Sequence, residues 1–245
     1  MRRAIELAES GLGEVWPNPS VGAVVVADGR VVGAARTQKR GRPHAEVVAL
    51  REAGPAARGG TMFVSLEPCS HWGRTPPCCD AIVEAGIARV VVAVLDPDPR
   101  VNGRGLQKLR DAGLQVELGL EAERAAEVNA GFFCRVRLGR PLTRAVPGDL
   151  GSGVPAGFDA TLMLERGRWT AAIAHARDPL ELRVWFFARD VDDAVVVSPT
   201  APDVEGPELP AAAVLATLGQ EGITRVAVPA ENPAMARLRA NDLLD

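Results

Sequence analysis

Residues 61–86, "TMFVSLEPCSHWGRTPPCCDAIVEAG", predict a buried strand, a long polar loop and a helix in that order. The apolar run at the start has the length and composition of a buried strand. Pro76 and Pro77 precede "CCDAIVEAG", and prolines suit a first helical turn because its amide hydrogens have no intrahelical acceptor. Cys78 is therefore expected at a helix N-terminus, and Cys69 at the end of the preceding strand.

The flanking segments continue this alternation. "ARVVVAVL" and "LQVELGL" are typical of strands and "GLQKLRDAG" of a helix, which predicts an α/β layer whose helices cover a largely parallel sheet. Upstream, Asp28-Gly29 joins two β-branched runs and favours a hairpin with a type I′ turn. We expect one domain over residues 1–138, and a second, smaller α/β unit over residues 139–245, where proline and glycine separate short apolar runs.

Composition narrows the range of partners. The chain has 245 residues, four cysteines and a net charge of −3, and no basic stripe that would indicate binding to nucleic-acid phosphates. It has no apolar run near the ~18 residues of a membrane span and begins without a signal segment. We therefore expect a cytoplasmic protein that binds small molecules and neither nucleic acid nor membrane. In a reducing compartment, paired cysteines more often bind metal than form disulfides.

A second helix start carries His44 and Glu46, immediately after Pro43. With Cys69 and Cys78, His44 makes a set of three ligands, the number that a catalytic zinc uses when its fourth position is kept for water. Glu46 can take a proton from that water and pass it to a leaving amine. The pattern His-x-Glu followed by Pro-Cys and a second Cys is the signature of zinc deaminases.

Alternative interpretations of the thiols remain open. Cys69 and Cys78 could be ordinary buried cysteines, although each follows a proline-containing segment. Cys79 points about a quarter turn away from Cys78 on a helix, so we interpret it as a packing residue. Cys134, after two phenylalanines, is expected in the core.

The spacing of the cysteines and three further segments carry a family resemblance. Eight residues, "SHWGRTPP", separate Cys69 from Cys78. Together with "PNPSVGAVVV", "HAEVVAL" and "DPDPRVNGRGLQKLRDAG", this spacing resembles the deaminase half of the bifunctional riboflavin-biosynthesis deaminase/reductase over about the first 140 residues. The resemblance implies a cytidine-deaminase-like three-layer α/β/α fold with one Zn²⁺ per chain. It also implies deamination of 2,5-diamino-6-(5-phosphoribosylamino)pyrimidin-4(3H)-one to 5-amino-6-(5-phosphoribosylamino)uracil and ammonia.

The same resemblance implies roles for the site residues. It makes His44, Cys69 and Cys78 zinc ligands and Glu46 the proton shuttle, as the residue types also suggest. It implies that Asn18 contacts the pyrimidine, although a residue between two prolines could also serve a turn.

Further implied contacts lie in two other loops. His71 and Arg74 are expected to hold the ribose phosphate, for which a guanidinium is a natural fork; His71 could instead be a loop residue bonded to backbone. Asp96 and Asp98 are expected beside the substrate pocket.

Two departures leave the substrate open. Thr37 stands where the family usually has a histidine, and Asp98 stands where it frequently has an asparagine. One alternative is therefore a deaminase of a related aminopyrimidine or nucleoside. Another is a non-catalytic binding partner whose zinc is structural, although such a site has no use for Glu46.

The second domain departs further from the family. It lacks the lysine-containing strand that opens the reductase and has "VAVPAENPA" where the family places Glu-Gly-Gly. Without those glycines a close approach to a pyrophosphate is lost. We expect a degenerate reductase-like remnant of the dihydrofolate-reductase type that does not bind NADPH, in a protein that could form homo-oligomers.

Overall fold

The computed structural model describes residues 1–148, 150, 153–166, 168–174, 182–189, 195–198 and 208–245. The chain divides into two compact units, Met1–Ala130 and Gly131–Asp245. The boundary expected from the sequence, after residue 138, lies further along the chain, at the end of the helix Ala130–Leu138 that begins at this division. No helix in the described ranges is long and apolar enough to span a membrane.

The first unit contains a five-stranded sheet and helices. In chain order its elements are α1 (Arg2–Glu9), β1 (Gly22–Ala27), β2 (Arg30–Arg36), α2 (Ala45–Ala53), β3 (Thr61–Val64), α3 (Cys78–Glu84), β4 (Arg89–Val92), α4 (Arg104–Asp111), β5 (Gln115–Leu118) and α5 (Ala122–Val128), followed by α6 (Ala130–Leu138). The sheet order is β2-β1-β3-β4-β5.

Strand directions in this sheet confirm the predicted alternation. β1 pairs antiparallel with β2 and β3, while β3, β4 and β5 are mutually parallel. Strand β4 lies between β3 and β5. After Arg89 it is apolar, and Val90, Val91 and Val92 are all at most 1% exposed, as expected for a strand covered on both faces. Because β3 and β4 run in the same direction, the loops that follow them meet at one edge of the sheet, where Glu67 N donates to Val94 O at 2.9 Å.

The β1–β2 hairpin is also confirmed. Asp28 and Gly29 both have left-handed backbone conformations, with φ of 49° and 71°, as the type I′ turn requires. Gly22 in β1 permits close packing of α1, because a Cβ at Gly22 would lie 1.8 Å from Ala4 O. The N-terminal helix therefore lies directly against the strand that precedes the hairpin turn.

The second unit has a six-stranded sheet. Its elements after α6 are β6 (Leu142–Val146), β7 (Ala160–Glu165), β8 (Arg168–Ala174), β9 (Leu182–Arg189), β10 (Val195–Ser198), α7 (Ala211–Gln220), β11 (Arg225–Pro229) and α8 (Pro233–Ala240). Strands β7 to β10 form an antiparallel meander, and β11 inserts parallel between β7 and β6. The segment "LPAAAVLATLGQEGITRVAV" forms helix α7 followed by strand β11.

Candidate functional site

The three predicted ligands lie together at the ends of β3, α2 and α3. His44 is the residue before α2, Cys69 lies in the loop after β3, and Cys78 is the first residue of α3. His44 Nδ1 is 3.3 Å from Cys78 Sγ and 3.7 Å from Cys69 Sγ. The three ligand atoms all lie within 4.8 Å of one another, close enough for one metal ion to bind all three.

The start of α3 wraps around Cys69. The Cys78 amide donates to Cys69 Sγ at 3.3 Å, and the Cys79 amide donates to Cys69 O at 3.2 Å. Both amides belong to a first helical turn and need acceptors outside the helix. Amides at a helix N-terminus also stabilise a thiolate, so the loop that brings the two cysteines together prepares one of them to bind a cation.

The pKa values of the three predicted ligands are shifted in different directions. Hydrogen bonding from Cys78, followed by the partnership with His44, lowers the pKa of the Cys69 thiol to about 4. Hydrogen bonding to Cys69 and burial raise the pKa of Cys78 well above its usual range. The contact with Cys69 raises the pKa of His44. A divalent ion favours the deprotonated form of every ligand it binds, and the lowered pKa of Cys69 favours the same form before an ion binds.

Glu46 lies in the first turn of α2 and is only 3% exposed. Burial raises the pKa of its carboxyl group. Its Oε2 atom is buried without a hydrogen-bond partner among the described residues. An orphaned carboxylate oxygen is uncommon in a native interior and calls for a ligand or water. Glu46, which was predicted to lie beside the three ligands, therefore carries an unsatisfied acceptor atom.

A small cavity of about 40 Å³ connects these groups. Of the residues predicted to contact substrate, Asn18 and Asp96 line it, together with His44, Glu46 and Cys69. The other three are not part of its wall. Arg74 is exposed, His71 is half-buried with Nδ1 unpartnered among the described residues, and Asp98 is bound by an arginine.

The two aspartates that follow β4 have opposite environments. Asp96 is 8% exposed, and burial raises the pKa of its carboxyl group to about 6. Asp98 accepts hydrogen bonds from Arg100 Nε at 2.9 and 3.1 Å, and this pairing lowers its pKa. The extra carboxylate noted in the sequence is therefore neutralised by a residue two positions away.

Thr37, the other departure, lies in the wall of the cavity and is 1% exposed. Its hydroxyl oxygen accepts from the Val21 amide at 3.1 Å and lies 3.4 Å from Val21 O. Both hydrogen-bonding functions of the hydroxyl are directed at one backbone unit. Thr37 therefore closes the wall and leaves recognition of a polar ligand to its neighbours.

Glu67 is a buried residue of the site to which sequence reasoning assigned no role. Its carboxylate accepts from Gly103 N at 2.9 Å, Gly105 N at 2.8 Å and Asp96 N at 3.3 Å. It thereby binds the start of α4 and the loop after β4 to the segment that holds Cys69. The only sequence signal was a glutamate in a loop, because its partners are 29 to 38 residues away.

We expect Glu67→Gln to lower the free energy of unfolding by roughly 2–4 kcal/mol, because the new amide group must face backbone N–H donors whichever way it turns. Urea unfolding of the zinc-loaded protein measures this. Glu52→Gln is the control, since Glu52 accepts a single backbone hydrogen bond, from Ala34 N, at an exposed position. Equal unfolding midpoints for the two variants would contradict the role assigned to Glu67.

Comparison with known proteins agrees with this geometry. Residues 1–94 match the family model described as the cytidine and deoxycytidylate deaminase zinc-binding region. A 141-residue segment, 58% of the chain, is 54% identical to the riboflavin biosynthesis protein RibD of Escherichia coli. A segment of the same length is 46% identical to the diaminohydroxyphosphoribosylamino-pyrimidine deaminase of Buchnera aphidicola subsp. Schizaphis graminum and covers 96% of that protein.

A solved structure is similar over nearly the whole chain. This is the Thermotoga maritima diaminohydroxyphosphoribosylaminopyrimidine deaminase/5-amino-6-(5-phosphoribosylamino)uracil reductase. It superposes with a TM-score of 0.73 at 29% identity, covering 98% of this chain and 82% of that one. The sequence matches are more restricted, because the chain spans about two fifths of the length of the RibD relatives, 40% for Aquifex aeolicus and 38% for E. coli. High sequence similarity is thus concentrated in the unit that contains His44, Cys69 and Cys78.

Proposed function

Since the chain belongs to the family of diaminohydroxyphosphoribosylaminopyrimidine deaminases of riboflavin biosynthesis, we propose that it removes the 2-amino group of 2,5-diamino-6-(5-phosphoribosylamino)pyrimidin-4(3H)-one in the cytoplasm. The products are 5-amino-6-(5-phosphoribosylamino)uracil and ammonia. The observation that carries the proposal is the orphaned Glu46 oxygen in the same cavity wall as the ligands His44 and Cys69.

The donor set fits zinc. One imidazole nitrogen and two cysteine sulfurs lie within 4.8 Å of one another, and borderline-soft Zn²⁺ prefers this combination of ligands. Three protein ligands distinguish a catalytic zinc from the closed, four-ligand structural type. One Zn²⁺ per chain, held by His44, Cys69 and Cys78, would polarise a water molecule and lower its pKa towards neutrality.

Glu46 supplies the proton transfers of the proposed reaction. Hydrolysis forms a C–O bond and breaks a C–N bond at the amidine carbon, while protons move from the attacking water to the departing nitrogen. The Glu46 carboxylate, whose Oε2 has no partner in the part of the chain that the structure describes, can accept the first proton and donate it to the amino group as ammonia leaves. Burial keeps bulk water away from this exchange.

Asn18 and Asp96 are the proposed contacts for the pyrimidine ring. Both line the cavity, and the Asn18 amide makes no side-chain hydrogen bond to any described residue. An amide offers a donor and an acceptor to the edge of a pyrimidine, and the Asp96 carboxyl group can accept from a ring N–H or an amino group. His71 and Arg74 lie outside the cavity, where the ribosyl phosphate of the substrate would project.

A related aminopyrimidine or nucleoside is the second candidate substrate, and Thr37 is the observation that favours it. Its hydroxyl group is occupied by Val21, so it offers the ligand no donor of the kind that a histidine would. The pairing of Asp98 with Arg100 removes the other reason to doubt a phosphorylated substrate. A purely structural zinc site is disfavoured because it leaves Glu46 Oε2 unexplained.

The second unit is proposed to be a reductase-like remnant that does not bind NADPH. The reason lies in the sequence, which lacks the lysine-containing strand and the Glu-Gly-Gly segment of the family reductase. A titration of purified protein with NADPH, followed by its fluorescence, tests this. Saturable binding would overturn the proposal.

Ammonia release by the zinc-loaded protein tests the proposed reaction directly. The phosphoribosylaminopyrimidine, its dephosphorylated form and cytidine should be compared at equal concentration. We expect release from the first compound at the highest kcat/KM. Preference for the dephosphorylated compound or for cytidine would select the second candidate, and no release from any of them would contradict a deaminase.

The Asn18 side chain is held in place by close packing against Gly41. A Cβ added at Gly41 would lie 1.7 Å from Asn18 Nδ2 and 2.4 Å from Asn18 Cγ. Ser20 anchors the same loop, because its backbone N–H and C=O both bond the Asn129 side chain at 3.0 Å. Gly41 lies three residues before His44, so this contact sets the position of the Asn18 amide relative to the metal cluster.

We expect Gly41→Ala to lower kcat/KM by about 10- to 100-fold, because displacing a substrate contact by an ångström has costs of this order. Zinc content should be unchanged. Gly29→Ala is the matched control: Gly29 has φ of 71° against 76° for Gly41, but nothing lies within 4 Å of its added Cβ. The two variants share the backbone strain of a left-handed alanine, so equal losses of activity would contradict the positioning role.

A further inference from the structure

Arg42 joins the two loops that precede the ligand-bearing helices. It lies two residues before His44, and its Nη1 atom donates to Thr75 Oγ1 at 2.6 Å, three residues before Cys78. Its other terminal nitrogen lies beside Gly73, 3.5 Å from the position of an added Cβ. The guanidinium group is therefore held against residues 73–75 of the long loop.

Most of the hydrogen-bonding capacity of Arg42 is unused. A guanidinium group has five N–H donors, and the Thr75 hydroxyl is the single acceptor that it reaches among the described residues. In that part of the chain neither Arg42 nor Arg74 has a carboxylate within ion-pair distance. Arg36 and Arg100, by contrast, are paired with Glu14 and Asp98. Arg74 of the long loop and Arg42, which is bonded to that loop through Thr75, thus have no acidic partners among the described residues.

The loop also carries an unsatisfied imidazole. Nδ1 of His71 is buried and has no hydrogen-bond partner among the described residues. Arg74 and His71 of the long loop, together with Arg42 bonded to it through Thr75, match the chemistry of a phosphate monoester, whose oxygens accept several charge-assisted hydrogen bonds at once. Thr75 adds preorganisation, because a guanidinium already fixed by one hydrogen bond loses less entropy when it binds an anion.

From this geometry we propose that Arg42 is a further phosphate-binding residue, which acts with Arg74 to make the site select a phosphorylated substrate. The proposal rests on the proposed deaminase function for the identity of the substrate. The phosphate contact itself is a property of the loop and is independent of the deaminase function. Arg42 acts on affinity for the phosphate end and leaves the chemistry at Glu46 unchanged.

Binding of ribose 5-phosphate tests the contact without catalysis. Isothermal titration of the zinc-loaded full chain should show Arg42→Gln binding this probe at least about tenfold more weakly than the wild type, as expected for the loss of a charge-assisted pair. Thr75→Val keeps the charge and removes the acceptor, so its loss should be smaller. Arg51→Gln is the control, because Arg51 is an exposed arginine in the last turn of α2, and it should bind like the wild type.

Kinetics supply a second readout. Arg42→Gln should raise KM for the phosphorylated pyrimidine with kcat nearly unchanged, and should leave kcat/KM for the dephosphorylated compound unaltered. Equal losses for both compounds would mean a structural role and overturn the proposal. If Arg42→Gln folds poorly, Arg42→Lys keeps the charge without the planar fork and should bind ribose 5-phosphate with intermediate affinity.

The outcomes also separate this inference from the proposed function. If wild-type protein and Arg42→Gln bind ribose 5-phosphate equally, or if neither binds it, the inference fails whatever the ammonia assay shows. If binding depends on Arg42 but no pyrimidine releases ammonia, the deaminase proposal fails and the phosphate contact stands.

Discussion

Replacing Glu46 by glutamine is expected to lower kcat for ammonia release by about a thousandfold or more, within the range that a positioned general acid–base group contributes. Glutamine keeps the shape and burial of the side chain, but it cannot accept and return a proton. Glu46 is 3% exposed with Oε2 unpartnered among the described residues. Of the carboxylates in the cavity wall, Glu46 alone has a buried oxygen without a hydrogen-bond partner among the described residues; Glu67 accepts backbone hydrogen bonds and Asp96 accepts from Asp98 N.

The thermal stability of Glu46→Gln should not fall with its activity. Burying a carboxylate oxygen without a hydrogen-bond partner among the described residues, as at Glu46 Oε2, is costly, so Glu46→Gln should melt at the same temperature as the wild type or higher. Zinc content should stay equal, because the ligand atoms belong to other residues. A loss of activity accompanied by a loss of zinc, or a variant that retains most of its turnover, would contradict the shuttle role. Glu46→Asp, which shortens the reach by one methylene, should retain an intermediate rate.

Local elements of the first unit could be predicted because each has a local cause. Asp28-Gly29 supports the hairpin turn, Pro76 and Pro77 precede the start of α3, and Gly54 ends α2. The parallel arrangement of β3, β4 and β5 follows from strands that alternate with helices. The proximity of His44, Cys69 and Cys78 could be predicted for the same reason, because they lie at helix starts and after a strand end that the chain pattern brings to one edge of the sheet.

Interactions between residues far apart in the chain could not be predicted from the sequence pattern. Glu67 bonds backbone groups at Gly103 and Gly105, and nothing near Glu67 in the sequence identifies those donors. The position of β11 between β7 and β6 depends on strands far away in the chain. Side-chain orientation is a further limit: Asp98 was expected at the pocket as an additional charge, but Arg100 neutralises it, a pairing that the spacing of the two residues allowed but did not require.

The adjacent cysteines Cys78 and Cys79 offer the sharpest test of the metal centre. They are neighbours at the start of α3 and are 1% and 0% exposed. Substitution by serine therefore makes the same change in side-chain volume at two equally buried positions. Their surroundings differ, because Cys78 Sγ is 3.3 Å from His44 Nδ1, whereas Cys79 Sγ lies 3.5 Å from Pro68 O and 3.6 Å from Gly105 O. Burial also raises the pKa of Cys79, which keeps it a thiol.

Cys78→Ser is expected to weaken zinc binding by at least about 100-fold, more than the loss of an outer-shell partner typically costs, because a serine hydroxyl does not replace a thiolate ligand. Cys79→Ser should keep zinc, since its hydroxyl group can donate to the carbonyls of Pro68 and Gly105. Competition with a chelator measures both affinities. Because an ion that binds only the folded state stabilises it, the chelator should lower the melting temperature of the wild type and of Cys79→Ser but not that of Cys78→Ser. Equal zinc loss in both variants would contradict the assignment of Cys78 as the third ligand.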